Sequence, residues 1–280
     1  MSHTTLIDAA ALARHVDDPA WRIVDVRHQL ADPAFGEKAY ADGHIPGAVF
    51  LHCDRDLSAP ATGRNGRHPL PDPARLAARL GQLGIGPQTQ VAVYDDCQGM
   101  IAGRLWWLLR WLGHDGVAVL DGGLQAWIAA GGKLTRAAPQ PPAAVFTPRP
   151  RDALVDADHV GAFLHTSRMH LIDARSPDRY RGENETLDRV GGHIPGAVNR
   201  FFRDNLRADG CFKSPADLRA EWLALLAGRA PEQVVHQCGS GISACHNILA
   251  MEIAGLPGSR LYPGSWSEWC ADPQRPVATG

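Results

Sequence analysis

The chain contains the segment GHIPGAV twice, at residues 43–49 and at residues 192–198. A second matched pair precedes it, because IVDVR at residues 23–27 corresponds to LIDAR at residues 171–175. The matched segments keep the same order in both halves, and each repeat spans roughly 130 residues, which is too long for a solenoid. The sequence therefore predicts a duplicated domain.

The boundary between the two halves is rich in proline. Residues 137–150 read AAPQPPAAVFTPRP, and five prolines in such a stretch favour extended backbone and interrupt helices. We predict an N-terminal domain at residues 1–136, a linker at residues 137–152 and a C-terminal domain at residues 153–280. The length of 280 residues agrees with this division, since about 150 residues per domain is common.

Short apolar runs alternate with helical patterns in both halves. This alternation predicts an α/β fold in which each domain has an open, mostly parallel sheet flanked by helices. Ligands of such sheets lie beyond the carboxyl ends of the strands. The predicted strands are residues 21–26, 91–94, 117–120, 171–173, 234–236 and 259–262, and the clearest predicted helices are residues 73–83, 99–112, 215–226 and 241–254.

Composition argues against several classes of function. The chain has 28 Lys and Arg against 30 Asp and Glu, so no basic excess supports binding to nucleic acid. No apolar run approaches the roughly 20 residues that cross a bilayer, and we expect no membrane partner. The first fifteen residues lack the basic start and apolar core of a signal peptide. A cytoplasmic location is expected.

The six cysteines and thirteen histidines show no metal-ligand spacing. The chain has no CxxC pair and no HExxH motif, so the sequence predicts neither a metal site nor a dithiol redox site. Six cysteines in a cytoplasmic chain of this length do not form a disulfide framework. One of them is therefore a candidate reactive thiol.

The segment VVHQCGSGISACHN, at residues 234–247, joins a predicted strand to a predicted helix. Its Cys238 is followed by small residues that allow a tight loop with N–H groups directed inward. Each amide hydrogen bond to a charged acceptor contributes about 1.5–3 kcal/mol, against about 0.3–1 kcal/mol for a helix N-terminus. The loop, more than the helix, is therefore expected to keep Cys238 as a nucleophilic thiolate.

The first half provides an internal comparison for this loop. Alignment without a gap places Asp96 opposite Cys238 and Gly99 opposite Gly241. The N-terminal domain is therefore predicted to lack the nucleophile and to be catalytically inactive. Cys97 lies beside the substituted position, and its reactivity is left open.

Taken together, the tandem repeat, the two GHIPGA segments, CGSGIS followed by ACHN, and LYPGSWSEW at residues 261–269 resemble the two-domain rhodanese sulfurtransferases. The resemblance covers essentially the whole chain. It implies that Cys238 takes a sulfane sulfur from a small anionic donor and holds it as a persulfide, in a cleft between the domains. A thiol, a thioredoxin-like protein or cyanide then accepts the sulfur. No metal or organic cofactor is implied.

The resemblance also bears on the donor. Thiosulfate sulfurtransferases of the family carry Arg and Lys just after the cysteine, whereas Gly239 and Ser240 match the CG[ST]G pattern of the 3-mercaptopyruvate enzymes. 3-Mercaptopyruvate is therefore the expected donor, with thiosulfate as the alternative. A sulfur carrier or binding module without turnover is the second alternative. A cysteine phosphatase of this fold would need an arginine where Ala244 stands.

Two arginines are assigned by their position in the family. Arg181 matches the residue that binds the donor carboxylate, since an arginine pairs with both carboxylate oxygens. A second such arginine is out of register here, and Arg189 is its candidate substitute. Arg179 is interpreted as a surface charge.

The remaining site residues are also implied by the resemblance. Ser240 polarises or protonates the departing enolate, and Asp54 and His68 assist proton movement around it. Ser243 donates a hydrogen bond to the persulfide sulfur. The catalytic set is thus Cys238, Ser240, Asp54 and His68, and the substrate-binding set is Arg181, Arg189, Gly239, Gly241, Ile242 and Ser243.

Overall fold

A computed structural model describes residues 2–280, which form two compact units. The first unit contains residues 2–59, Leu70–Asp152 and Asp209–Cys211. The second contains Pro60–Pro69, Ala153–Ala208 and Phe212–Gly280. The short loop Pro60–Pro69 therefore belongs to the second unit, although it lies within the sequence range predicted for the N-terminal domain.

The proline-rich segment at residues 137–152 is part of the first unit rather than a separate tether. The Ala144 N–H donates to the Gly81 carbonyl at 2.9 Å, and the Arg149 N–H donates to the Leu112 carbonyl at 2.8 Å. The prolines keep this segment extended, so the N–H groups between them find acceptors on the unit's surface.

A parallel five-stranded sheet forms the centre of the first unit. Its strands are β1 (Leu6–Ile7), β2 (Trp21–Asp25), β3 (Val49–Phe50), β4 (Gln90–Tyr94) and β5 (Val117–Leu120). Its helices are α1 (Ala9–Ala13), α2 (Phe35–Asp42), α3 (Pro73–Gln82), α4 (Met100–Trp111) and α5 (Gly123–Ala129). The order β1-β5-β4-β2-β3 places β4 in the middle, so the loop after β4 lies at the centre of the carboxyl edge.

The second unit repeats this plan with four parallel strands. They are β6 (His170–Asp173), β7 (Val198–Asn199), β8 (Val234–Gln237) and β9 (Arg260–Leu261), in the order β7-β6-β8-β9. The helices are α6 (Ala157–Phe163), α7 (Pro177–Arg181), α8 (Pro215–Leu226), α9 (Ser243–Ile253) and α10 (Ser265–Trp269), with 3-10 turns at Phe202–Asn205 and Pro231–Gln233. The predicted fold class, two α/β domains with open parallel sheets, is confirmed.

The repeated GHIPGA segments have the same structural role in both units. His44 stacks on Tyr40 and His193 stacks on Tyr180, with ring centroids 3.9 and 3.8 Å apart. In each case the histidine Nδ1 also contacts the carbonyl of that tyrosine, at 2.8 and 2.9 Å. These histidines therefore fix a turn, which explains why the segment occurs in both units.

Local signals account for where the amphipathic helices begin. Pro73 opens α3 and Pro215 opens α8, where the missing N–H of proline costs no hydrogen bond. The preceding Asp72 and Ser214 side chains accept hydrogen bonds from the first turn. By contrast α4 and α9 begin directly after the loops that follow β4 and β8. No helix in residues 2–280 has the length and apolar character needed to cross a bilayer.

Candidate active site

Cys238 is the first residue after β8, and the helix α9 begins five residues later. Its side chain is only 2% exposed, and the Gly241 N–H donates to Sγ at 3.1 Å. Gly241 has φ of +78°, a left-handed conformation that glycine adopts without strain. The prediction of a ring of amides around the sulfur was too strong, since within residues 2–280 this one amide reaches Sγ.

Further backbone N–H groups lie between Cys238 and the first turn of α9. Those of Ser243 and Ala244, at the start of α9, have no hydrogen-bond partner within the described chain. The first N–H groups of a helix have no acceptor inside the helix, so they are free for an anion. The Ser243 hydroxyl, predicted to reach the persulfide sulfur, also makes no hydrogen bond among residues 2–280.

The segment LYPGSWSEW fastens the cysteine loop. Ser265 Oγ accepts the Cys238 N–H at 3.1 Å and donates to the Tyr262 carbonyl at 2.9 Å. The Trp266 and Ser267 N–H groups donate to the carbonyls of Cys238 and Gly239 at 2.9 and 3.0 Å. The loop therefore cannot turn without breaking three bonds to one neighbouring segment.

Ser265 was not identified from the sequence. It has φ of +55°, which is uncommon for a residue other than glycine and is retained where surrounding contacts enforce it. Here the contact that enforces this conformation is the hydrogen bond that the Cys238 N–H donates to the Ser265 hydroxyl. A serine within LYPGSWSEW was the only available sequence signal.

A buried arginine adds positive charge near the sulfur. Arg175 pairs with Asp173 at 2.7 Å, and its guanidinium lies 4.9 Å from the centre of the Trp266 ring. Burial alone would lower the pKa of Arg175. Asp173 raises it, with smaller contributions that include Cys238, and the overall shift is upward. Arg175 is thus a buried charged group whose main partner is Asp173.

Ser240 and His68 form a buried pair within the second unit. Ser240 Oγ and His68 Nδ1 are 2.7 Å apart, and both residues are 6% exposed. His68 comes from the loop Pro60–Pro69, which is held by the Arg67 N–H donating to Ser267 Oγ at 3.0 Å. The structure thus brings these two predicted residues together across 172 positions of sequence.

The predicted carboxylate ligand Arg181 does not face the loop. Its side chain is exposed and pairs with Glu183 at 2.7 Å. Arg179 is the arginine beside the loop, since a Cβ placed on Gly239 would lie 3.5 Å from its Nη2. Residues two apart on a helix point about 200° apart, so only one of the pair can face the cysteine. The structure therefore places Arg179 rather than Arg181 beside the loop, and the carboxylate-binding role of Arg181 stays a prediction.

A second arginine at this position was missed. The same Cβ on Gly239 would lie 2.8 Å from Arg67 Nη2. Arg67 and Arg179 both contact the buried carboxylate of Asp188. Arg189, the predicted substitute for a second carboxylate ligand, is exposed, and no hydrogen bond of its side chain occurs within residues 2–280.

Asp54 lies in the first unit, where its Oδ1 is 3.8 Å from His28 Nε2. Its side chain is 38% exposed. The proposed part of Asp54 in proton movement stays a prediction. Ile242 is buried at the start of α9, where it lines the loop rather than offering a polar contact.

The corresponding loop of the first unit is occupied by its own carboxylate. Asp25 of β2 pairs with Tyr94, as Asp173 of β6 pairs with Gln237. The residue after each strand is therefore Asp95 in the first unit and Cys238 in the second. The prediction that Asp96 replaces the cysteine was wrong by one position, because the first loop contains one extra residue before its glycine, Gly99.

The side chain of Asp95 collects the amides of that loop. It accepts the N–H groups of Cys97 at 3.0 Å and of Gly99, Ile101 and Ala102 at 2.9 Å. Cys97 is half-buried, and burial followed by the charge of Asp95 raises its pKa well above the usual range. These conditions disfavour a thiolate at Cys97.

Two parallel α/β units, one with a cysteine loop and one with a carboxylate in its place, define a duplicated domain with a single thiol site. The sequence matches a protein-family model, described as Rhodanese-like domain, at residues 8–130 and again at residues 156–272. The chain belongs to the rhodanese family, and the predicted resemblance is confirmed.

Relatives match the whole chain. A probable 3-mercaptopyruvate sulfurtransferase from Pseudomonas aeruginosa is 49% identical over 283 residues, 100% of both chains. The thiosulfate sulfurtransferase of Mus musculus is 35% identical over 94% of this chain and 90% of its own. The crystal structure of the 3-mercaptopyruvate sulfotransferase SseA from Escherichia coli has a TM-score of 0.81 and 32% identity, covering 94% of this chain and 99% of that one.

Proposed function

We propose that this protein is a sulfurtransferase that moves sulfur from 3-mercaptopyruvate to a thiol or cyanide through a persulfide on Cys238. The observation that carries the proposal is the pair of unoccupied amides, Ser243 and Ala244, beside a buried Sγ. Their counterparts in the first unit hold the Asp95 carboxylate. A negatively charged outer sulfur on Cys238 would find donors where the first unit places a carboxylate.

The first half-reaction makes a sulfur–sulfur bond and breaks a carbon–sulfur bond. The Cys238 thiolate attacks the thiol sulfur of 3-mercaptopyruvate, and the electron pair of the broken bond becomes the pyruvate enolate. The product on the protein is the persulfide, and a proton must then reach the enolate to release pyruvate. An acceptor thiol or cyanide takes the outer sulfur in the second half-reaction and restores the Cys238 thiolate.

We propose that the Ser240–His68 pair delivers that proton. The Ser240 hydroxyl donates to the enolate while His68 replaces the lost proton across the 2.7 Å contact. This direction requires a proton on His68 Nδ1. A positioned general acid of this kind contributes about 10²–10⁴-fold to a rate. Thiosulfate releases sulfite, which leaves with its charge and needs no proton.

The donor carboxylate is assigned to the guanidinium of Arg179 beside Gly239. Burial alone would raise the pKa of Glu185, but backbone N–H groups and Arg179 lower it, so this arginine keeps a charged partner. The 49% identity to a probable 3-mercaptopyruvate sulfurtransferase, against 40% to a putative thiosulfate sulfurtransferase and 35% to a thiosulfate sulfurtransferase, supports the same donor. A thioredoxin-like protein is among the thiol acceptors. Six free cysteines agree with a cytoplasmic location.

One observation favours thiosulfate as the main donor instead. Arg67 places a positive charge against the loop although the loop itself contains no Arg or Lys. Nearby positive charge favours a dianion, and thiosulfate is the dianionic donor of the two.

The test compares kcat/KM for the two donors with the same acceptor thiol. 3-Mercaptopyruvate is expected to exceed thiosulfate by tenfold or more, and the reverse order would overturn the choice of donor. Cys238→Ser is expected to lose transfer from both, since an alcohol cannot form a persulfide. Mass spectrometry should show one added sulfur atom on Cys238 after donor treatment. A persulfide that no acceptor discharges would instead indicate a sulfur carrier.

A further inference from the structure

Arg67 has one hydrogen-bonded face and one free face. Its Nη1 contacts Asp188, whereas its Nη2, directed toward Gly239, has no hydrogen-bond acceptor within residues 2–280. Arg179 is arranged similarly, with Nε and Nη2 bound to Glu185 and Nη1 without an acceptor in the described chain. Two guanidinium groups thus present unused N–H donors to the same side of the cysteine loop.

The position of Arg67 is set by its backbone. The Arg67 N–H is bonded to Ser267, and His68 is bonded to Ser240. On its other side Gly66 has φ of +82° and approaches Gly264 so closely that a Cβ would lie 2.8 Å from that carbonyl oxygen. The loop backbone is therefore held on both sides of Arg67, which fixes the position from which its side chain extends.

Asp188 links the two arginines. Its Oδ1 contacts Arg67 Nη1 and its Oδ2 lies 3.3 Å from Arg179 Nη2, while its side chain is 4% exposed. Burial raises the pKa of Asp188, and Arg67 is the largest opposing influence. With Glu185, which is also 4% exposed, the two carboxylates balance the two guanidinium charges. The two carboxylates therefore offset much of the positive charge that the two guanidinium groups present to a donor.

We propose that Arg67 is the second donor-binding arginine of this site, and that Asp188 sets the preference for a singly charged carboxylate over a dianion. The proposal rests on the proposed sulfur transfer. The carboxylate of the donor accepts one N–H from Arg67 and one from Arg179, which fixes both of its oxygens. A second negative charge on the donor is opposed by the nearby Asp188.

Binding of pyruvate, the product carboxylate, tests Arg67 without any need for turnover. We expect Arg67→Gln to weaken pyruvate binding in calorimetry about tenfold or more, as for loss of a charge-assisted hydrogen bond. Arg64→Gln is the matched control, because it removes the same charge from the same loop at an exposed position. Equal pyruvate affinity in Arg67→Gln and Arg64→Gln would overturn the role of Arg67, whatever the transfer activity.

Steady-state kinetics test the two roles further. Arg67→Gln should raise KM for 3-mercaptopyruvate about tenfold while kcat changes much less, a separation that general loss of structure would not produce. Asp188→Asn should raise the ratio of kcat/KM for thiosulfate to that for 3-mercaptopyruvate about tenfold. An unchanged or lower ratio in a folded Asp188→Asn variant would overturn the role of Asp188. Wild type that forms no persulfide from either donor would instead contradict the transfer reaction, and pyruvate affinity would still decide Arg67.

Discussion

The loop after β4 and the loop after β8 both connect a central strand to a helix, but different side chains accept hydrogen bonds from their backbone N–H groups. In the first, the carboxylate of Asp95 accepts four backbone N–H groups at 2.9–3.0 Å. In the second, Cys238 Sγ accepts one, and the N–H groups of Ser243 and Ala244 are left open. The difference indicates that this type of loop binds anions through its backbone N–H groups. In the first unit the anion is the protein's own carboxylate, whereas in the second unit the N–H groups are available to the reacting molecule.

The same comparison separates structural from reactive features. Both units keep a buried Asp–Arg pair after the first central strand, Asp25 with Arg27 and Asp173 with Arg175, each at 2.7 Å. Both keep the GHIPGA turn. Within residues 2–280, the second unit alone has an open set of amides, a buried serine–histidine pair and two arginines beside Gly239. Features present in both units are therefore needed for folding, whereas those confined to one unit are candidates for chemistry.

The largest expected effect comes from making the second loop resemble the first. Cys238→Asp should lose all sulfur transfer, because a carboxylate cannot form a persulfide. It should nevertheless be more stable than Cys238→Asn by about 1–3 kcal/mol, since each amide bond to a charged acceptor contributes about 1.5–3 kcal/mol before the cost of burying the charge. Denaturant unfolding of both variants measures this difference. An Asp variant less stable than the Asn variant would contradict the anion-holding loop.

The converse change tests the first loop. Asp95→Asn should destabilise the first unit by about 2–4 kcal/mol, because one carboxylate oxygen is replaced by an NH₂ group that faces N–H donors. Sulfur transfer per folded molecule should be unchanged. Asp96→Asn is the matched control and should cost less than about 0.5 kcal/mol, as for a side chain without such contacts. A larger cost at Asp96 would restore the alignment made without a gap.

The smallest expected effect concerns the strands that lead into the two loops. His236 of β8 is fully buried, and its Nδ1 has no hydrogen-bond partner within residues 2–280. The residue at the same position of β4 is Val93. Burial lowers the pKa of His236 from 6.5 to about 3. Between these values the unfolded chain binds a proton that the folded chain does not, so stability is complete above pH 6.5 and decreases as the pH falls.

One such proton changes the free energy of unfolding by about 1.4 kcal/mol per pH unit in that window. His236→Val should reduce the pH dependence of unfolding by about this slope, whatever its effect on stability at neutral pH. The measurement is denaturant unfolding at several pH values below 6.5. An unchanged slope would show that His236 is protonated in the folded protein.

Much of the fold was predictable because its determinants are local. Pro73 and Pro215 marked helix starts that the structure keeps, and the apolar runs around Ile23 and Val235 became central strands. Cys238 was identifiable for the same reason, since its strand, glycines and helix are contiguous in sequence.

The errors occurred where local spacing was not enough. Asp96 was chosen over Asp95 because an alignment without a gap cannot show that a loop has gained one residue, here in a stretch where Gln98 has φ of +63°. Arg181 was assigned by its position in the family, whereas the phase of α7 is what places Arg179 beside the loop.

By itself, the sequence determined the duplication, the parallel α/β plan and the single cysteine loop, because repeats, alternation and turn residues act over a few neighbouring positions. Only the tertiary structure brought Arg67 and His68 to Gly239 and Ser240, which lie more than one domain length away along the chain. Such contacts depend on how the loop Pro60–Pro69 is folded against α10 and the cysteine loop. Packing of that kind leaves no periodic pattern in the residues concerned.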